Sequence, residues 1–362
     1  MIKENSKLIA YVLSAVDLTI KDLLEFDEYE FNTDSEFANK SKIVVSKQPN
    51  CGEDDFIVCQ SNGTNVFKGV VENYNSSSDS SAYTLSMKQT ANLFDRFIFI
   101  AGENIISSTG IEDFIVKAIT DNWISSGDAM LDRGYITVTA TTHTPVYAKV
   151  STIVSLEEGA YNLKTFLGNA MEYYDIYVAF DFSTPEELHI SVYKDTSADV
   201  SVDATVTDVT EYTETYSVDA LVKLNVLWNQ MDGDTILASE SRTYYLLSDR
   251  TITTDGTNPN RASGSVRSMV IEADTENEMY QKVLDEFASN SYSHKISFLL
   301  SMDSMLYDYT QFYPGHNTMI KTKSGIRNSI VTGLAVSSSS RFAQVVFGKL
   351  KVTLIEKLRD RK

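Results

Sequence analysis

Histidine is the scarcest of the residue types that could carry chemistry in this chain. The 362 residues include only His143, His189, His294 and His316, against 50 acidic residues. No two of these histidines are close enough in sequence to share a helix face as metal ligands, and the sequence contains no HExxH, GxSxG, GxxxxGK[ST] or GxGxxG motif. We therefore expect no catalytic residue, no metal site and no cofactor, and we predict that the protein is not an enzyme.

Paired carboxylates could in principle hydrolyse glycosides. Such an enzyme needs two of them about 5–10 Å apart across a cleft, and neighbours such as Asp54 and Asp55 arise readily among 50 acids. Adjacent acids in loops are usually solvated, so a glycoside or peptidoglycan hydrolase ranks third among our hypotheses. Residues 231–234 (Met-Asp-Gly-Asp) resemble part of a calcium loop but lack its other ligands and terminal glutamate. We predict a hairpin turn there.

The two cysteines and the hydropathy pattern indicate the cellular compartment in which the chain folds. Cys51 and Cys59 lack the CxxC spacing of a redox or zinc site, and we interpret them as reduced thiols. No segment has the roughly 20 apolar residues that cross a bilayer, and the first residues lack the apolar region of a signal peptide. We expect synthesis in a cytoplasm and no insertion into a membrane.

The net charge of −19 argues against stable nucleic-acid binding. A surface that wraps nucleic acid neutralises phosphates with lysine and arginine, whereas this one would repel them. The same charge would suit a surface past which DNA slides without sticking. A merely soluble acidic protein explains the charge equally well.

Two sequence features are candidate contact surfaces. Asn62-Gly63 joins two strand-like runs within residues 56–74 and is the dipeptide that favours a tight hairpin. An aromatic cluster beside Pro314-Gly315 could contact a partner or pack locally; its members are Tyr307, Tyr309, Phe312 and Tyr313. If the cluster is exposed, a carbohydrate- or receptor-binding protein becomes the second hypothesis.

The remaining pattern is mostly β. Strand-like runs fill residues 8–100, while apolar residues recur at helical spacing in three segments, 111–123, 162–173 and 275–288. Thr109 with Glu112 and Thr275 with Glu278 have the spacing of capping boxes, and Asn162 is a candidate N-cap.

These elements predict a mainly β chain with α+β segments, made of two small β-barrel domains and an inserted α+β region. We expect a first barrel in residues 1–100, an α+β domain in 101–205, and a second barrel in 206–362 that contains the helix 275–288. Residues 326–347 have a strand, loop and strand order similar to that of the 56–74 region. They are a candidate internal repeat.

Four runs in this order resemble a known family. They are Tyr161–Leu167 at the head of a helix, Phe312–Gly315, Ile330–Gly333 and Val346–Gly348. The chain resembles the central baseplate hub proteins of tailed phages, specifically the siphophage tail-associated family, whose fold is shared with myophage hubs and the base of the type VI secretion spike. The likeness spans essentially all residues as a pattern, without a single diagnostic motif.

The resemblance implies a homotrimeric structural protein of the virion tail, at the baseplate or tail tip, made in the cytoplasm of a bacterial host. Each subunit would supply two barrels, so that a trimer matches the sixfold tail tube above and threefold parts below. Implied partners are tail tube or distal tail proteins, the tape-measure protein, and tip fibre or spike proteins around a channel for DNA.

Two departures from the family pattern limit what the resemblance implies. His316 stands where relatives often have an acidic residue after the Pro-Gly pair. No peptidoglycan-cleaving domain follows the last predicted strand, so we expect any lytic activity to reside in another protein.

Overall fold

The computed structural model describes ten segments of the chain, which are residues 7–76, 82–99, 110–144, 160–184, 187–195, 200–216, 221–247, 251–290, 294–323 and 325–348. Strands dominate these segments, as the sequence predicts. The candidate capping residue Thr109 and the last residues of the chain, 349–362, lie outside the described residues.

The first six strands form a closed ring. They are β1 (Leu8–Leu13), β2 (Ile20–Asp34), β3 (Lys40–Val45), β4 (Phe56–Ser61), β5 (Thr64–Ser76) and β6 (Tyr83–Gln89). Each strand pairs antiparallel with its neighbours in the order β1-β4-β5-β6-β3-β2, and β2 returns to β1. Alternate side chains point inward, as the period of two requires, and the rings of Phe31 and Phe67 stack with centroids 5.0 Å apart.

The next elements form an α+β unit. They are β7 (Phe97–Phe99), α1 (Gly110–Ile119), β8 (Ile136–Ala140), β9 (Ala160–Asn162), α2 (Leu163–Tyr174), β10 (Ile176–Thr184) and β11 (Glu187–Lys194). The sheet order is β10-β11-β8, and β7 pairs with β9. Both helices bury their apolar faces in a core that also includes Phe56 and Phe94 from the ring region. The unit is therefore packed directly against the ring.

The helix starts show which local signals were correct. The Asn162 side chain accepts a hydrogen bond from the Thr165 amide at 3.1 Å, which confirms it as the N-cap of α2. Glu112 is fully buried, and its carboxylate accepts hydrogen bonds from the Thr142 and Thr144 hydroxyls and from the Thr144 amide at 2.6 Å. This carboxylate therefore ties α1 to the segment after β8.

A four-stranded sheet and a helix follow two further strands. These elements are β12 (Val200–Asp203), β13 (Val209–Tyr216), β14 (Leu221–Asp232), β15 (Thr235–Leu246), β16 (Ile252–Thr253), β17 (Ser265–Ala273) and α3 (Glu276–Asn290). The sheet order is β16-β15-β14-β17, and α3 covers one face with a core of its own that includes Trp228 and Phe287. The segment 221–290 thus forms a unit of four strands and the predicted helix, whereas the sequence predicted only the helix as an addition to the second barrel.

Two turn predictions in this part of the chain can be checked. Asp232 pairs with Thr235 across Gly233, whose φ is +57°, so residues 231–234 form the predicted hairpin turn. At the start of α3 the Glu278 amide donates to the Thr275 hydroxyl, whereas the Glu278 carboxylate accepts from the amide of Asp274. The return bond of the predicted capping box is displaced by one residue.

The last four strands complete a second six-strand group. They are β18 (His294–Ser301), β19 (Asn317–Thr322), β20 (Gly325–Ser337) and β21 (Phe342–Phe347). The order is β12-β19-β20-β21-β18-β13, with β12 parallel to β19 and the other neighbours antiparallel. Residues Glu30–Asp34 of β2 pair antiparallel with Gly333–Ser337 of β20. This single ladder joins the two groups into one 12-stranded sheet.

Residues 326–347 contain β20 and β21, which form an antiparallel hairpin next to the junction with β2. On the other side of the junction, β2 pairs in the same way with its hairpin partner β3. The internal repeat between 56–74 and 326–347 stays a prediction.

The Asn62-Gly63 turn gives the first testable prediction. Asn62 has φ +49° and Gly63 φ +84°, as a type I′ turn requires. No atom lies within 4 Å of a Cβ built on Gly63, so Gly63→Ala should cost only the left-handed backbone energy, about 1–2 kcal/mol. Gly134→Ala is the matched control, because Gly134 has equally open space without that φ. Equal unfolding free energies for the two variants would contradict the turn geometry.

The attachment of β12 to β19 gives a pH-dependent prediction. Hydrogen bonds from the Lys321 ammonium (2.7 Å) and from Thr205 lower the pKa of Asp203 to about 2. A lowered carboxylate pKa stabilises the fold above the ordinary value near 4, and this contribution disappears as the pH falls towards 2. Asp203→Asn should therefore unfold at a lower temperature than wild type at pH 6, and the difference in midpoint should shrink as the pH falls and vanish below pH 2. A constant difference across that range would contradict the assignment.

Candidate functional site

The hairpin tip at Asn62 and Gly63 is exposed. Its position is fixed by the start of β1, because the Asn62 side-chain oxygen accepts from the Lys7 amide at 3.0 Å and the Asn62 amide donates to the Lys7 carbonyl at 3.1 Å. A rigid, exposed turn can meet a partner without losing much conformational freedom. A role of this tip in contacting a partner stays a prediction.

The aromatic cluster is divided between core and surface. Tyr309 and Phe312 are 2% and 1% exposed and lie in the core that the two six-strand groups share. Tyr307 is half-buried, and its hydroxyl accepts a hydrogen bond from the Asp203 amide at 3.0 Å. Tyr313 is half-buried and lines a cavity with Pro314. Burial thus favours the local-packing alternative for Tyr309 and Phe312.

The segment after Pro314 connects the second group to the α+β unit. Gly315 has φ +100°, and a Cβ there would lie 2.4 Å from the Tyr177 ring, so only glycine fits. The Asp195 carboxylate accepts from the Asn317 amide at 3.0 Å and contacts the His316 imidazole at 3.1 Å. His316 thus meets a carboxylate supplied by the residue that follows β11.

The other ionisable residues named in the sequence are dispersed. His143 pairs with Asp113, which raises the His143 pKa, and His189 contacts Thr137. Both cysteines are free, and burial raises the pKa of Cys51 to about 11. Within the described segments, no group of three or more His, Cys, Asp or Glu side chains is arranged to hold a metal ion. None of the helices there has the length and apolar character needed to cross a membrane.

An exposed sheet face escaped the sequence analysis. The sheet β16-β15-β14-β17 buries one face under α3, whereas Leu227, Val266 and Val270 on the opposite face are 40%, 58% and 55% exposed. Leu227 pairs directly with Val270, and Asn225 beside them donates to the Ser268 hydroxyl at 3.2 Å. We call this the outer sheet face. The sequence does carry a signal for this face. Residues 221–228 have apolar side chains at both odd and even positions, so both faces of this strand are partly apolar.

No protein-family model matches the sequence, and no curated protein matches it. Solved structures do match. A tail protein from Neisseria meningitidis MC58 has a TM-score of 0.52 at 10% identity, covering 95% of this chain and 97% of the other. The tail protein of prophage MuSo2 from Shewanella oneidensis has a TM-score of 0.52 at 12% identity, covering 95% and 98%. A prophage tail protein from Listeria monocytogenes EGD-e has a TM-score of 0.50 at 8% identity, covering 98% of both chains.

The chain has the fold of phage tail proteins. This confirms the resemblance drawn from the sequence, over nearly the whole length of each chain. Identities of 8–12% establish a shared fold and leave the individual contacts to be argued from this chain's own residues. The predicted order of β, α+β and β modules is the feature that carried the resemblance.

The divided aromatic cluster yields a stability prediction. Phe312 is fully buried and packs edge-to-face on Phe347 with centroids 6.0 Å apart. Phe312→Ala should lower the unfolding free energy by about 3–5 kcal/mol, because it leaves a cavity in the shared core. Phe342→Ala is the control, since Phe342 is 37% exposed and should cost about 1 kcal/mol or less. Urea titrations measure both values, and similar losses would argue against a core position for Phe312.

Proposed function

We propose that this chain is a structural hub protein of a phage or phage-like tail, located at the baseplate or tip and without enzymatic activity. The fold supports this role, since it matches solved tail proteins along almost the full chain. The observation that carries the finer proposal is the repeated strand order on either side of the β2–β20 ladder.

The two six-strand groups share most of their strand order. The first ring has the neighbour order β1, β2, β3, β6, β5, β4, and β4 pairs again with β1. The second group has the neighbour order β12, β19, β20, β21, β18, β13, and among the described residues its end strands β12 and β13 do not pair with each other. One difference is that β1 pairs antiparallel with β4, whereas β19 pairs parallel with β12. We infer that these are two barrel domains, with the α+β unit and the four-stranded sheet inserted around them.

Duplication within the chain has a direct use in symmetry matching. A trimer of chains with one barrel each can offer three equivalent contacts, whereas two similar barrels offer six. The hub would then join the sixfold tail tube to threefold tip parts. We propose tail tube or distal tail proteins, the tape-measure protein and tip fibre or spike proteins as its partners.

We also propose a channel through the assembly. If part of the net charge of −19 per chain lined it, the lumen would repel the phosphate backbone. DNA could then pass without being retained. The exposed hairpin tip at Asn62 and Gly63 and the outer sheet face are the surfaces that we propose for contacts outside the lumen.

Mass measurement tests the proposed assembly. Light scattering of the purified full-length chain should give the mass of three 40.4-kDa subunits, stable on dilution. Cryo-electron microscopy of that particle should place six similar β modules in one ring. A strict monomer at high concentration that also fails to bind a tail tube protein from the same particle would overturn the proposal. Cell-wall zymography should show no clearing.

A further inference from the structure

A cavity of about 340 Å³ lies where three parts of the chain meet. Lys68 and Phe67 of β5 form one side, Tyr177 and Phe180 of β10 face them, and Tyr313 lies beside Pro314 on the connection to β19. At a share of about 30 Å³ per molecule, the space corresponds to roughly eleven waters, which suits a small ligand. No role in the proposed tail assembly depends on it.

The walls combine aromatic faces with hydroxyl groups that lack partners. The Thr90 hydroxyl is buried and makes no hydrogen bond. The hydroxyls of Tyr177 and Tyr313 likewise have no hydrogen-bond partner in the part of the chain that the structure describes. Buried polar groups are normally satisfied, and each exception calls for an occupant or a function. Thr90 is such an exception, and the half-buried Tyr177 and Tyr313 add two hydroxyls that a ligand with several hydroxyls of its own could engage.

Burial keeps these tyrosines in their neutral form. It raises the pKa of Tyr313 to about 12 and raises that of Tyr177 further above its usual range. Both hydroxyls therefore remain able to donate and to accept at neutral pH. An anionic ligand would use only their donor capacity, whereas a neutral ligand with both donors and acceptors would use both capacities.

The mouth of the cavity carries one cation and one anion. The Lys68 ammonium donates to the Phe180 carbonyl at 2.8 Å and lies 3.8 Å from the Asp181 carboxylate. Burial lowers the Lys68 pKa, and Asp181 is about half exposed. Because the two charges compensate each other, the site selects neither cations nor anions, but both groups can hydrogen-bond hydroxyls.

We propose that this cavity binds one neutral saccharide unit. Sugar rings present apolar C–H faces to aromatic walls and hydroxyls at their edges, which is the combination that Phe67, Phe180 and the unpartnered hydroxyls offer. A purely apolar ligand would leave Thr90 and the tyrosine hydroxyls unpaired, at a cost in affinity. A nucleotide would bring phosphates to a chain of net charge −19.

Saturation-transfer NMR with the full-length protein tests the site. The probes are methyl glycosides of glucose, galactose, N-acetylglucosamine and rhamnose. We expect at least one to bind with a dissociation constant on the order of 1 mM, and Tyr313→Phe and Thr90→Val each to weaken it about 2- to 12-fold. Tyr83→Phe is the matched control, because Tyr83 lies on β6 away from the cavity lining, and it should not change binding.

Thermal unfolding separates lost binding from lost folding. Thr90→Val removes a buried hydroxyl that has no partner, so its unfolding midpoint should equal or exceed that of wild type while glycoside binding weakens. The proposal is overturned if no glycoside binds at concentrations up to about 50 mM. It is also overturned if a glycoside binds equally well to wild type, Tyr313→Phe and Thr90→Val. Neither result would bear on the trimeric hub.

Discussion

The ladder between β2 and β20 is the interaction on which the rest of the architecture depends. Five residues, Glu30–Asp34, pair with Ser337–Gly333 and join segments separated by some 300 positions in the sequence. Without it, the backbone groups of residues 30–34 and 333–337 would lose their pairing partners, and unpaired strand segments favour aggregation. The ladder also closes one continuous core, in which Phe31 of the first ring and Phe347 of the second group both lie. Closure of so long a loop is entropically costly, and burial of that core must offset it.

This constraint explains why insertions are tolerated where they occur. The sheet β16-β15-β14-β17 with α3 lies between β13 and β18, which are themselves paired antiparallel, so the chain leaves and re-enters the second group at one edge. The insertion has its own core around Trp228, whose indole donates to the Ala273 carbonyl at 3.0 Å. It therefore adds a surface without disturbing the junction. The α+β unit differs, because it shares its core with the ring and is held by Lys68 and Asp195 at the seam.

The sequence alone predicted the features that are set by residues close together in the chain, such as turns and helix caps. Asn62-Gly63 fixes a hairpin because two adjacent residues must adopt positive φ, and Asn162 caps α2 through an amide three residues away. The parallel β12–β19 pair and the β2–β20 ladder could not be predicted, since a period of two shows that a strand is half-buried and not which strand it pairs with. The same ambiguity assigned residues 221–247 to the second barrel. Cavity-lining residues such as Thr90 carried no signal, because an unpartnered hydroxyl exists only once the surrounding chain has packed.

Charge limits which surfaces of this fold can meet another copy. Three chains would bring together three times −19, and screening over about 8 Å at physiological salt removes only the long-range part of that repulsion. Several lysines are already used within the chain, as Lys21 is by Asp55 at 2.6 Å. Close approach is therefore least costly where no carboxylate lies at the contact. At the centre of the outer sheet face, Leu227 and Val270 adjoin the neutral pair Asn225 and Ser268, but the next position on that face is the exposed Glu272, opposite Asn229. A contact between copies on this face would therefore have to stay on the side of Asn225 and Ser268 and leave the Glu272 carboxylate in water.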